Sequence, residues 1–480
     1  MEYKGAKAGG GKMDMRALKA HNKLAYELPS NLNVIERRTN KTSFADQNSY
    51  SSASGNEVVI RLTASTDYTY GKNSYIAFDV QANTVLTAGA AATAQGVGFS
   101  RGTAMSLFSR VLFEDRSGQE LERDDKLNSY CYQVLPWTHG AAAKSTMMAM
   151  AGQHESGYPN EVEGKTADGP TGFQRNGTFA HYTINGSKLS VCIPLRFFLG
   201  VFDRETLIPA MLTSGSLIRL QLESTGRALK ALGVYGTVGD GISDAKSAAS
   251  YTIFNPRVVL DSMALAPVVQ KNLMEQSQSG GGLDFVYQTR YYQGGNSQTS
   301  TDFNLQVHKA VSRCQKLFWS AHAQATPDDF TKESLGAAQG SLSQLDYRLG
   351  NEYFPQRPIS ITDGDSPKNG AELYENSLQS VQRMRSAYDP PSITKDEFLA
   401  SGVALNATAA SNDNSGRQVH CQSFEQSSAL EMSGRAINNS LTLEARIAFT
   451  GTPATAQALD AWILFVKMAK CSQLRCIVKE

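Results

Sequence analysis

Three glycine-rich strings in this 480-residue sequence have the outline of chemical motifs. Gly164-Lys165-Thr166 resembles the end of a phosphate-binding loop, whose backbone amides cradle the phosphates. That loop needs a glycine at 159, and Pro159 stands there without an amide hydrogen. Gly98-Phe99-Ser100-Arg101-Gly102 matches the GxSxG string of a nucleophile elbow, which needs a buried strand before the serine and a helix after it. Alanine- and glycine-rich chain precedes it here, and Ser106–Phe113 beyond it reads as a strand, so Ser100 is expected in a loop. Gly96, Gly98 and Gly102 have the wrong spacing for a dinucleotide fingerprint, and no βαβ pattern surrounds them.

The other reactive residue types are scattered. The seven histidines (His21, His139, His154, His181, His308, His322 and His420) contain no HxH, HExxH or HxxxH pair, so a metal site would have to be assembled across strands. His420 and Cys421 are adjacent and would face opposite ways in a strand, which rules out a nucleophile–base pair. Asp124-Asp125 and Asp328-Asp329 sit among polar residues and read as solvated turns. The six cysteines form no CxxC pair and are expected to be reduced core or interface residues; Cys471 and Cys476 would fall on opposite faces of one terminal strand. No catalytic, cofactor-binding or metal-binding residue is expected, and the chain reads as a non-enzyme.

A chain this long exceeds one hydrophobic core, so two domains are expected. Charged residues are only 19% of it and the net charge is +1, unlike a protein that coats nucleic acid over its whole surface. The start has no apolar signal-peptide region, and no window is apolar enough to span a bilayer. Residues 1–55 differ from the rest and are expected to form a basic arm. Lys4, Lys7, Lys12, Arg16, Lys19 and Lys23 outnumber Glu2 and Asp14, Met13–Leu28 could form a short helix, and Ser43–Gly55 reads as extended chain.

Beyond the arm the pattern is β. Val58, Ile60 and Leu62 recur at every second position, as do Ile76, Phe78 and Val80, Phe303, Leu305 and Val307, and the apolar residues of the run Leu441–Phe449. Ala461–Met468 reads as a strand buried on both faces. Pro136–Asn185 and Ser224–Ser250 are long Gly/Ala/Ser-rich loops, and Ala371–Met384 is a helical island. Pro267–Gly282 reads as a linker between β-rich halves at 56–265 and 283–480. A weak echo, Ser106–Val111 against Ala310–Cys314, favours duplication of one unit.

Four segments together resemble the double jelly-roll major capsid proteins of the adenovirus and tailless-phage lineage, nearest in look to polinton-like viruses and virophages. They are Ile193-Pro194-Leu195-Arg196-Phe197-Phe198-Leu199-Gly200-Val201-Phe202 with Leu207–Leu212, the stretch Leu345–Ile359 with its following helix, the hairpin Arg110–Tyr130, and the apolar strand Trp462–Met468. The resemblance covers most of residues 57–480. It implies two tandem eight-stranded jelly-roll sandwiches with short helices and long loops, in an all-β protein. It further implies homotrimers with a pseudo-hexagonal outline that tile an icosahedral shell, with penton and minor capsid proteins as further partners. The expected location is the virion, assembled inside the host cell. The arm cations Lys4, Lys7, Lys12, Arg16, Lys19 and Lys23 would then face inward, toward an inner membrane, DNA or another capsid protein. Two rivals are a soluble β-sandwich that binds glycans or acts in attachment, and a β-rich carbohydrate-active enzyme with paired carboxylates in a cleft.

Overall fold

The computed structural model describes residues 35–54, 57–83, 96–99, 103–138, 188–232, 250–278, 282–295, 300–323, 335–336, 342–360, 370–382, 393, 398, 418–425, 433–438, 441–449, 457–471 and 476–479. Alternating apolar side chains build its strands. In Leu217–Leu222 the buried positions are Ile218, Leu220 and Leu222, and in Leu443–Phe449 they are Leu443, Ala445, Ile447 and Phe449. Each such strand turns one face to a core and leaves the other for polar residues.

Eight strands carry the first half: Ile35–Phe44 (β1), Glu57–Arg61 (β2), Tyr68–Ala82 (β3), Phe108–Glu114 (β4), Glu120–Asp125 (β5), Leu189–Pro194 (β6), Leu217–Leu222 (β7) and Tyr251–Leu265 (β8). Eight more carry the second: Leu283–Gly294 (β9), Asp302–Val307 (β10), Val311–Ala323 (β11), Leu342–Leu349 (β12), Glu352–Ser360 (β13), His420–Ser423 (β14), Leu443–Phe449 (β15) and Gln457–Cys471 (β16). The first half forms the sheets β1-β8-β3-β6 and β2-β7-β4-β5. The second forms β9-β16-β11-β14 and β10-β15-β12-β13, so adding eight to each number of the first half reproduces the second. Within each half the first strand pairs with the eighth, the second with the seventh, the third with the sixth and the fourth with the fifth, all antiparallel. That nested order is the eight-stranded jelly roll, and the chain contains two in tandem.

Helices fill matching places. Leu127–Thr138 (α1) follows β5, Pro267–Gln278 (α2) links the two rolls, and Ala371–Gln382 (α3) follows β13, the counterpart of β5. Pro267 opens α2, where its missing N–H costs nothing. One continuous hydrophobic core runs through both rolls, with Phe78, Phe108 and Phe198 in edge-to-face contact. A smaller cluster of Tyr68, Leu207, Met263, Leu265 and Leu273 seats α2 against the first roll.

Four sequence expectations change. The arm does not reach residue 55, because β1 pairs with β8 from Ile35 to Phe44 and Ser49–Ser51 pairs with β8 as well. α1 was not expected: its described side chains are buried on every side, so no amphipathic stripe marks it, and Pro136 reads as a breaker. The echo between Ser106–Val111 and Ala310–Cys314 joins unlike places, since β4 corresponds to β12 and not to β11. Cys471 and Cys476 lie on two antiparallel strands and stand opposite each other in register.

Candidate functional site at the junction of the rolls

The most elaborate polar arrangement among the described residues lies where the two rolls meet. Roll one contributes β5, α1 and the two short turns Leu195–Phe197 and Gly200–Phe202 that follow β6. Pro194 ends β6 and begins the first of these turns, in keeping with its fixed φ. Roll two contributes β9, with Trp462 of β16 and Ser320 of β11 behind it.

Strand alternation sets the geometry. Glu122 and Asp124 are two apart on β5, so both point toward roll two, and each is 1% exposed. Glu122 accepts three hydrogen bonds: from the Gly200 N–H at 2.9 Å, the Val201 N–H at 3.1 Å and the Thr289 hydroxyl at 2.8 Å. Arg290 of β9 lies 2.5 Å from Asp124 and donates to the carbonyls of Phe197 and Phe198 at 3.2 and 2.8 Å. Its guanidinium also sits over the Tyr130 ring, 4.1 Å from the centroid. The Tyr287 hydroxyl donates to the Leu121 carbonyl at 2.7 Å.

Backbone approach is as close as the polar contacts. A β-carbon on Gly200 would lie 1.7 Å from the Gln288 carbonyl oxygen, so this position admits only glycine. Farther along, Gln133 of α1 donates to the Leu335 carbonyl at 2.7 Å and accepts from the Ser320 hydroxyl. Trp137 of α1 packs on Tyr374 of α3 and edge-on against Phe398, while Tyr130 meets Trp462. The rolls are therefore joined by a buried, directional seam.

Burial dominates the electrostatics there. It pushes the Asp124 carboxyl up to about 6, against the pull of Arg290 and with added repulsion from Glu122. It also pushes Glu122 up, against the opposing pull of the Gly200 and Val201 amides, Arg290 and Thr289. The Tyr130 hydroxyl rises to about 12 and the Cys131 thiol rises as well, both through burial, so neither supplies a nucleophile.

The expected turn at Asp124-Asp125 is thus a correction: both belong to β5, Asp124 is buried, and only Asp125 is solvated, paired with Arg123. Nothing in the local sequence marks Asp124 as buried, because its partner Arg290 lies in the other half of the chain. His420 stacks on Trp319 with centroids 4.4 Å apart, and burial pulls its imidazole down to about 3. Cys421 beside it is pushed up to about 12 by burial. Gly98 and Phe99 form a short strand with Leu229–Leu232, while Ser100 lies outside the described residues. So do Lys4, Lys7, Lys12, Arg16, Lys19 and Lys23, Gly164–Thr166 and Asp328-Asp329. Among the described residues no group of three His, Cys, Asp or Glu side chains could hold a metal ion. No helix among them is long and apolar enough to cross a membrane.

No protein-family model matches the sequence, and no curated protein matches it. Solved structures do share the fold. The chain is similar to a protein in the Sputnik virophage structure, with a TM-score of 0.58 and 12% identity over 99% of this chain and 93% of the other. It is similar to the Faustovirus major capsid protein, with a TM-score of 0.57 and 8% identity over 93% of this chain and 92% of the other. The mavirus major capsid protein gives a TM-score of 0.50 and 9% identity over 100% of this chain and 96% of the other. At such identities the shared property is the architecture, and that architecture is the double jelly roll expected from the sequence.

Proposed function

We propose that the chain is the major capsid protein of an icosahedral virus, acting as a structural protein without catalysis. The observation that carries this reading is the pair of equivalent rolls fixed side by side by the Glu122–Asp124–Arg290 seam. A rigid two-roll unit turns three-fold symmetry into a ring of six similar rolls, which is the outline a hexagonal lattice needs. Closing strands into sandwiches also limits exposed sheet edges, which at virion concentrations would aggregate. The same double fold in the Faustovirus and mavirus major capsid proteins supports the reading over a glycan-binding module.

In this role the chain's main partner is itself, as a homotrimer and across neighbouring capsomers, with penton and minor capsid proteins completing the shell. The virion is its location. The cations Lys4, Lys7, Lys12, Arg16, Lys19 and Lys23 would face the interior and meet an acidic surface, whether lipid headgroups, DNA or another protein. Mass photometry and negative-stain microscopy of the purified chain test the reading. Particles at three times 52.0 kDa with hexagonal outlines, or closed shells, are expected. A persistent monomer or a two-fold dimer under assembly-promoting salt would overturn it.

A further inference from the structure

The seam between the rolls carries an imbalance of charge. Two carboxylates, Glu122 and Asp124, are almost fully buried on β5, and among the described residues a single guanidinium, Arg290, faces them from β9. The other described titratable groups near them do not redress it. Tyr130 and Cys131 on α1 are neutral, their protons held by burial. Asp203, in the turn after β6, is itself pushed up by burial against the pull of Arg196, Lys72, Arg290 and Arg204, and it supplies no positive charge to the pair. Asp125 is solvated beside Arg123, and Tyr292 of β9 gives its hydroxyl to Asp460 of β16.

We infer that Glu122 and Asp124 hold one proton between them in mildly acidic solution, and that losing it as the pH rises loosens the seam between the two rolls. With the proton in place, one carboxylate and one guanidinium leave the seam neutral. Without it, a net negative charge is buried between the rolls, where water cannot screen it. Glu122 accepts from two backbone amides and the Thr289 hydroxyl, the partner set of an ionised carboxylate. Asp124 has only the Arg290 guanidinium within ion-pair distance among the described groups. The shared proton therefore resides mainly on Asp124.

A carboxyl whose folded pKa stands above its unfolded value stabilises the fold most below that unfolded value, and the stability drains away as pH rises to the folded one. For Asp124 the window runs from the ordinary 3.8 up to about 6. The device is a property of the single chain and holds whether or not the capsid reading does. In an assembled particle it would make the two-roll unit stiffer in acid than at neutral pH.

The test is thermal unfolding of the full chain and of Asp124→Asn at pH 5.0 and 7.5. Asparagine keeps the shape of the protonated acid and cannot acquire the second charge. The melting temperature of Asp124→Asn relative to the parent should rise by a few degrees from pH 5.0 to 7.5. A constant difference between the two proteins would overturn the inference. If the variant fails to fold, hydrogen exchange on the unaltered chain decides, with intrinsic rates corrected for pH. Peptides covering Gly200–Phe202 and β9 should lose protection at pH 7.5 relative to β3 and β8. Equal changes in all four would likewise overturn it.

Discussion

β1 and β9 occupy the same place in their rolls, each the first strand beside the eighth, yet they live in different surroundings. β1, with the sequence IERRTNKTSF, has a single buried residue, Ser43, and leaves Phe44 66% exposed. β9, with the sequence LDFVYQTRYYQG, buries Phe285, Tyr287 and Thr289. Each strand carries an arginine paired with a buried aspartate. Arg38 reaches Asp261 within its own roll with half its side chain in water, whereas Arg290 reaches Asp124 across the seam and is nearly covered. One topology thus supports two kinds of edge, a solvated one and one welded to a neighbour. Occupancy by the other roll, more than position in the sheet, decides how much each side chain contributes.

The comparison is broken most severely by Arg290→Met. It strands Glu122 and Asp124 in a dry seam, and removing one partner of a buried ion pair costs about 3–5 kcal/mol. Chemical denaturation should show that loss at pH 7.5 and a smaller one at pH 5.0, where the carboxyl pair takes up a proton. An equal loss at both values would mean that packing of the arginine stem matters more than its charge.

Gly200→Ala should follow at about 3 kcal/mol, because the added methyl meets the Gln288 carbonyl and one of the two backbones must retreat. Gly118→Ala is the control within roll one. Its φ is +82° in the β4–β5 hairpin with nothing within 4 Å, so only backbone strain of about 1–2 kcal/mol is expected. Midpoints from urea titrations of both variants would separate a clash at the seam from strain in a turn.

The same contrast explains what the sequence reveals. Strands with one face on a core, such as β7, β10 and β15, announce themselves by alternation, and Pro194, Pro209 and the Gly350 turn bracket their elements. β16 is legible as a doubly buried run because apolar residues fill both faces. β1 is not legible, since an edge strand open to water has no apolar period and looks like an arm. α1 fails for the opposite reason: it is enclosed all round and uses tyrosine, cysteine, asparagine and glutamine to fit. The seam is hidden most deeply. Glu122 and Asp124 differ in no local respect from the solvated Glu120 and Asp125, and what makes them special is distant in sequence: the Gly200 and Val201 amides, Thr289 and Arg290.

Burial of a titratable group in the second roll has the opposite sign to the seam. His420 is held neutral against Trp319, with its imidazole at about 3, below its ordinary 6.5. Its contribution is complete above pH 6.5 and is lost as pH falls toward 3, because the unfolded chain takes up a proton that the folded one refuses. Between pH 6.5 and 5.5 that amounts to about 1 kcal/mol. His420→Phe should keep the aromatic contact and remove this acid sensitivity, which melting curves across that interval would detect. An unchanged slope would assign the acid response to other groups.

The smallest effect is expected at the solvated edge. Arg38→Met removes a bidentate pair with Asp261, but the arginine is 46% exposed, and Asn73 remains as a donor to the same carboxylate. Water can reach the vacated side, so the loss should stay below about 1 kcal/mol and shrink further in high salt. Measured beside Arg290→Met under identical conditions, the ratio of the two losses reports what the second roll adds. If Arg38→Met proved as costly as Arg290→Met, β1 would have to be covered in solution as β9 is. A second copy of the chain lying over β1 would then be the surface to look for, and the dependence of the loss on protein concentration would reveal it.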